Sequence, residues 1–460
     1  MVMRYRYLHC SFLWSVFTLL VFVQIACKKA YLDVKPDKGL LVPATLSDFD
    51  ALLDNLTVFN VGPEIQEIAS DDFFTTDEGW TGLSPTEQLA YVFSAQVVQT
   101  DPSVAEWNQP YQQVFYANIV LDGLEKLPRD RPADYDRIRG TALFHRSFAF
   151  FNLLQLFAAP MLSSEAKASP GIPLRLEADV SKRSVRAGLE ESYAQLIADL
   201  NAARDLLPVK PRFRSRPSRV AVDALLARVY LSMADYPRAR EAADRSLSAF
   251  SGLYDFNTLD TASLSPFPQV LPDAGEEVIF YARLTGYSFE VSPLVFVDSI
   301  LYDAYAENDL RRDMYFKENA EGRFNYFGTY EASSYFFGGL AADELYLIRA
   351  ECLAREGEIT GALSDLNTLL EKRWRRNTFQ PLGAGSPGEA LRLVLSERRK
   401  ELVGRGLRWS DLRRLNTEAG FQKEVLHRVQ GRTYRLEPGS KGFVYPIPAY
   451  EIAASGIEQN

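Results

Sequence analysis

The sequence predicts a mainly α-helical protein, built on helix pairs of tetratricopeptide type and interrupted by a loop-rich insertion with a few short strands. Three observations carry that prediction. Apolar residues recur at helical spacing in YQQVFYANIVLDGLEKL (111–127), YDRIRGTALFHRSFAFFNLLQLF (135–157) and LEESYAQLIADLNAARDLL (189–207). A second pattern occurs twice, in two copies 123 residues apart. Between about 251 and 340 the texture changes: Pro, Gly, Asp and aromatics crowd together around short apolar runs such as EVIFYARL.

Taken along the chain, TLSDFDALLDNL (45–56) opens a first helix on capping residues. The polar PRDRPAD separates the next two long helices, and Pro208 and Pro211 end the one after. The repeat follows. Ala227, Tyr230, Ala234, Tyr236, Ala239, Ala243 and Ser246 return as Ala350, Leu353, Gly357, Ile359, Ala362, Leu366 and Leu369. Small residues let two helices approach, a larger one fills the gap, and Ala or Gly makes the turn. Copies this far apart imply a helical frame with loops inserted between repeats, not a simple tandem array. GAGSPG (383–388) has the letters of a phosphate-binding loop, but no buried strand precedes it. Ser386, Pro387 and Glu389 read instead as a capping box with Pro at the first helical position.

SERRKELVGRGLRWSDLRRLN (396–416) carries seven basic and three acidic residues with Trp409, a composition that would suit nucleic acid. Helical geometry favours another reading. Leu391, Leu395 and Leu402 lie near one stripe, and Trp409, Leu412 and Leu415 form a second. Gly404 and Gly406 fit the turn between two helices. Glu397, Glu401 and Asp411 are positioned to pair with the neighbouring basic residues. The segment reads as a helix hairpin with Trp409 in the core.

The N-terminus reads as an export signal (1–26): Arg4 and Arg6, an uncharged apolar run, then Ala26 before Cys27. The thiol of Cys27 is the expected lipid anchor, with 28–44 as an extended tether; a retained membrane helix is the competing reading. Removing the signal takes the net charge from −9 to −11, the wrong sign for a protein that lives on phosphate contacts, so no nucleic-acid partner is expected. Cys352 is then the one thiol left apart from Cys27, in an apolar helical pattern, so no internal disulfide is expected.

Catalytic sets are sparse. Only His145 and His427 follow the signal, neither at metal-ligand spacing, so no metal or cofactor is expected. No nucleophile elbow is present. Two loop carboxylates could serve a glycosidase, but nothing singles out a pair. Binding chemistry is better represented. ASDDFFTTDEGW (69–80) places Asp72 near Trp80, and acids beside an aromatic suit sugar hydroxyls and an apolar sugar face. The same segment also reads as a solvated loop anchored by Phe73 and Phe74. Trp107 in DPSVAEWNQPY, and Tyr326 and Tyr330 in FNYFGTYEASSYFFGG, are further aromatic loop candidates that could equally cover the helices.

The hairpin segment resembles the C-terminal motif of the SusD/RagB family. RVAVDALLARVYLSMADYPRAREAAD and ELYLIRAECLAREGEITGALSDLN resemble its repeat helix pairs. NDLRRDMYF, with Asp309 and Arg311, and the closing VYPIPAYEIAASGIEQN also fit. The resemblance implies a SusD-like fold in one domain, 27–460, with a helical part (27–250), the insertion (251–340) and a C-terminal helical part (341–460). It implies a non-catalytic outer-membrane lipoprotein facing the cell exterior. Such a protein captures an oligosaccharide, or in some members a peptide, for a SusC-like TonB-dependent transporter. The matched motifs carry over no ligand residues; Asp72, Trp80, Trp107, Tyr326 and Tyr330 rest on residue type and region.

Overall fold

The frame is a succession of helices in which each packs on the next. α1 (Leu46–Leu53) starts on a capping box: Thr45 Oγ1 accepts the Asp48 N–H at 3.2 Å, and Asp48 accepts the Thr45 N–H at 3.0 Å. Then come α2 (Ala105–Leu124), α3 (Pro132–Phe157), α4 (Leu189–Leu206), α5 (Arg219–Ser232), α6 (Tyr236–Ala249), α7 (Ala342–Arg355), α8 (Ile359–Glu371) and α9 (Pro387–Glu401). The computed structural model describes residues 43–98, 104–162, 168–271, 275–330 and 333–460, so the signal segment, Cys27 and most of the tether lie outside it. Thr45–Asn460 forms one compact unit. No helix among the described residues is long and apolar enough to cross a membrane.

The repeat is reproduced residue for residue. The bounds of α5 and α7 coincide at the sequence offset, and the paired turn residues Ala234 and Gly357 both adopt positive φ, 51° and 86°. Ala239, Ala243, Ser246, Ala362, Leu366 and Leu369 are all buried. One point differs from a frame with loops spacing the repeats: α6 packs directly on α7. The two pairs are spatial neighbours, and the intervening chain leaves the stack and returns to it.

The described strands are short and paired. β1 (Phe73–Thr75) is antiparallel to β3 (Val295–Val297), with Phe73 opposite Val297 and Thr75 opposite Val295. β2 (Val278–Phe280) pairs with β6 (Leu340–Ala341), and β4 (Phe316–Glu318) with β5 (Phe324–Tyr326). Strands are not confined to the insertion. β7 (Val425–Val429) and β8 (Arg432–Leu436) form a hairpin across Gln430 and Gly431, both at positive φ as a two-residue primed turn requires. Gln-Gly is a weak turn signal beside Asn-Gly, which is why the sequence did not announce it.

α9 starts where expected, with Ser386 Oγ accepting the Glu389 N–H at 3.2 Å. The reciprocal bond is shifted by one residue: Glu389 accepts from Gly385, not from Ser386, so the box is open. α10 (Arg408–Leu415) follows Gly404 and Gly406 at φ 69° and 72°. Trp409 is buried against Phe443 and Tyr445. The hairpin charges are paired, though less locally than expected, except Arg413, which donates to the backbone carbonyls of Leu154, Gln155 and Ala158. Arg398 and Arg414 hold Asp411, and Lys400 holds Glu397. Glu401 instead meets Arg311 and Arg373, Arg399 reaches Asp72, and Arg408 reaches Asp71. Tertiary packing brings in distant partners, among which Arg408 and Asp71 make a bidentate pair at 2.6 and 2.9 Å. The Asp309–Arg311 element is part of this: Arg311 is fully buried between Asp309, Glu397 and Glu401 and ties the insertion to α9. The closing signature clasps itself, with Gln459 exchanging hydrogen bonds with both backbone groups of Ile447 at 2.7 and 2.9 Å.

Candidate functional site

A cleft of about 220 Å³ opens where β1 pairs with β3 of the insertion. Its floor is Phe73, Phe289 and Phe336, all buried. Tyr326, half-buried, and Phe327 form a wall with Asn325, and Glu290 adds a carboxyl. The rim is unusually apolar: Leu264, Val291 and Phe327 are 63%, 56% and 37% exposed. Large apolar side chains left in water around one concavity mark a binding surface more than scattered ones do.

The segment GYSFE (286–290) positions this wall, and buried glutamates hold it. The Gly286 N–H donates to Glu64 Oε2 at 2.6 Å. The Tyr287 hydroxyl lies 2.8 and 2.9 Å from the two Glu106 oxygens. Ser288 Oγ and the Phe289 N–H each donate to Glu87 at 2.8 Å. Gly286 is required by its φ of 91° and by the Tyr335 ring packed where a Cβ would stand. Little positive charge offsets these acids. Burial, reinforced by the Glu290 charge, holds Glu64 well above the usual carboxylate range. Burial raises Glu106, and burial pushes Glu290 up to about 7. The cleft wall is therefore held by hydrogen bonds to buried carboxyls, of which Glu64 and Glu106 are raised above their usual range.

The expected ligand residues are not brought together. Tyr326 lines the cleft, its hydroxyl donating to the Gly328 carbonyl at 2.9 Å. Trp107 lies not on a loop but in α2, 2% exposed, edge-on to Phe157; it backs a separate groove of about 340 Å³ with Tyr111 and Phe115. Pro110 lies inside this helix, where packing of Trp107 and Tyr111 outweighs the hydrogen bond that proline removes. Asp72 is 1% exposed and bonded to Arg399 at 2.9 Å. Trp80 sits half-buried on a short helix capped by Thr76, and its N–H donates to the Gln88 carbonyl at 3.2 Å. Tyr330 is buried with its hydroxyl on Glu277 at 2.9 Å. Sequence reasoning passed over Glu290, Asn325 and Phe327; two lie inside the quoted aromatic run, but nothing in spacing marks Glu290.

Other chemistry is accounted for. Among the described residues Glu277, Asp343 and Glu401 bring oxygens close enough for a cation. Arg373 already holds Glu277 and Glu401 at 2.7 and 2.6 Å, and Arg405 holds Asp343 at 2.9 Å. His145 is packed among Phe59, Phe144 and Phe280, with neither ring nitrogen hydrogen-bonded to the protein. It is structural, and burial lowers it to about 3. Cys352 is buried, which raises its thiol and leaves it inert. A larger cleft, about 480 Å³ and walled by Phe93, Tyr445 and Pro446, borders segments outside the described residues.

A stack of helix pairs carrying a loop-built aromatic cleft defines the class: a helical-repeat frame with a grafted recognition surface. Residues 30–231 match the family described as starch-binding and associating with the outer membrane, and residues 342–460 match the SusD family. The chain belongs to the SusD/RagB family. It is 25% identical over 416 residues to SusD-like protein P2 of Formosa agariphila, covering 76% of this chain and 78% of that one. Its fold is shared with a SusD superfamily protein of Bacteroides thetaiotaomicron, at a TM-score of 0.72 and 21% identity over 90% of this chain and 99% of that one. A SusD-like carbohydrate-binding protein of Bacteroides vulgatus superposes at 0.67, with 18% identity over 90% and 97%.

Proposed function

We propose that this chain is a lipid-anchored, cell-surface binding protein that captures an oligosaccharide in the Tyr326–Phe327 cleft. It delivers this nutrient to a SusC-like TonB-dependent transporter in the outer membrane. One observation carries the ligand class: aromatic faces stand beside a carboxyl, an amide and hydroxyls in one concavity. Aromatic rings cover the apolar face of a sugar, while Glu290, Asn325, Ser292 and Ser334 meet its hydroxyls. The cleft does not favour hydrolysis. Glycosidases flank the bond with two carboxyl groups, and among the described lining residues Glu290 is the one acid. The family relationship supports the nutrient-binding role, and the Ala26–Cys27 junction supports the anchor.

Calorimetry against a panel of glycans and peptides tests the reading. Phe327→Ala, at an exposed wall position, is expected to weaken glycan binding by about 1–2 kcal/mol and leave the unfolding midpoint unchanged. Binding of peptides alone would move the ligand class, and release of reducing ends would replace capture by catalysis. Cys27→Ser is expected to shift the protein from the membrane to the soluble fraction.

A further inference from the structure

Beneath the hairpin turn lies a cavity of about 30 Å³, distinct from the ligand cleft. It is bounded by the 62–66 loop, by α3, by Leu284 and Gly338 of the insertion, and by the 405–410 turn. Its lining residues carry five polar atoms without a partner in the protein: Arg405 Nε and Nη2, Trp409 Nε1, Asn152 Nδ2 and Gln66 Oε1. These residues are 4%, 1%, 9% and 5% exposed, so bulk water does not satisfy them. Four of the five atoms are donors. A second guanidinium, Arg228, also lines the cavity, its charge met by Glu344 at 2.6 and 2.8 Å, and no Asp or Glu is among the lining residues. Arg405 is oriented by its single Asp343 bond at 2.9 Å and by the faces of Phe337 and Tyr330 beneath its guanidinium, at 4.6 and 5.0 Å from the ring centroids.

A buried donor left without an acceptor costs about 1–3 kcal/mol, so four around one cavity demand an occupant. The occupant must accept hydrogen bonds from several directions, fit the volume of about one water molecule, and suit a lining whose unpartnered atoms are mostly donors. We propose that this cavity is a structural site for a monatomic halide, chloride under ordinary conditions. The ion receives the Arg405, Trp409 and Asn152 N–H groups and pins the hairpin turn to α3.

Bromide is the probe. Crystals of the protein grown in sodium bromide are expected to show an anomalous peak within hydrogen-bonding distance of Arg405 and Trp409 Nε1. In solution the unfolding midpoint is expected to rise saturably with chloride or bromide, against gluconate at equal ionic strength. Trp409→Phe removes the N–H together with the five-membered ring, and Asn152→Leu removes a second donor at nearly equal volume; each is expected to weaken halide dependence at least several-fold. A bridging water with no anomalous signal, or a Trp409→Phe protein with the full halide response, would overturn the proposal.

Discussion

The C-terminal hairpin and the glutamate-held wall of the cleft both bury many carboxyl groups, and they solve that problem in opposite ways. In the hairpin each acid has a guanidinium. Burial opposes ionisation of Asp71, but Arg408, Arg399 and Lys423 outweigh it and hold the carboxyl well below its usual range. Arg414 and Arg355 do the same for Glu351, and Arg398 and Arg414 for Asp411. Around residues 286–290 the acids meet hydroxyls and backbone N–H groups, and Glu64, Glu106 and Glu290 move upward instead. The frame is fastened by ion pairs and the cleft wall by hydrogen bonds from hydroxyls and backbone N–H groups. Arginine forks fix direction in the hairpin, whereas the wall is held by single hydrogen bonds of smaller strength.

The contrast can be broken from either side. The largest effect is expected at Arg414, which bonds Glu351 at 2.5 and 2.8 Å and Asp411 at 2.9 Å. Arg414→Ala leaves both acids short of a partner and is expected to cost about 3–5 kcal/mol in urea unfolding; a loss below 1 kcal/mol would show that the hairpin does not depend on its charges. Tyr287→Phe removes the hydroxyl on Glu106 and is expected to cost about 1–3 kcal/mol. It should also lower ligand affinity, because the wall it holds includes Glu290; unchanged affinity in calorimetry would separate the fastening from the cleft. Trp80→Phe removes the hydrogen bond to Gln88 together with the five-membered ring. About 1–2 kcal/mol of stability is expected to go, with glycan affinity unchanged, since Trp80 does not line the cleft.

The smallest effect is a slope. A carboxyl raised on folding contributes stability that is complete below its unfolded value, near 4.5, and is lost as pH rises through its folded value, about 7 for Glu290. Lowered acids such as Asp411 act in reverse and lose their contribution as pH falls below about 4. Thermal midpoints should therefore decline from pH 5 to pH 8, and Glu290→Gln should flatten part of that decline without moving the acid limb. A parallel curve would mean that Glu290 is ionised throughout.

How much of this was legible depends on how local the cause is. The repeat offset determined two helix pairs down to their turn residues, because spacing of Ala and Gly is a local requirement. Trp409 was legible as core from its three-residue stripe. The fate of Asp72 was not: its partner Arg399 lies 327 residues away, and no local pattern distinguishes an acid awaiting a sugar from one held by a distant arginine. Trp107 was weighed as a loop aromatic by residue type, and its burial in α2 comes from packing on Phe157, a contact no local pattern shows. Glu290 had no signal, since its role comes from the strand pairing of 73–75 with 295–297 and from glutamates scattered over three N-terminal elements.

The direct packing of α6 on α7 has a consequence for how such a protein can diversify. The roughly ninety residues between them leave and re-enter at neighbouring points, so the frame fixes only where the cassette begins and ends. Lengthening so long a loop by ten residues costs about 0.1 kcal/mol in closure entropy. The recognition surface can thus be rewritten, provided that the Arg311 anchor to α9 and the strand pairing at β1 are kept. Exchanging 251–340 between relatives is the natural unit for re-aiming specificity on an unchanged scaffold.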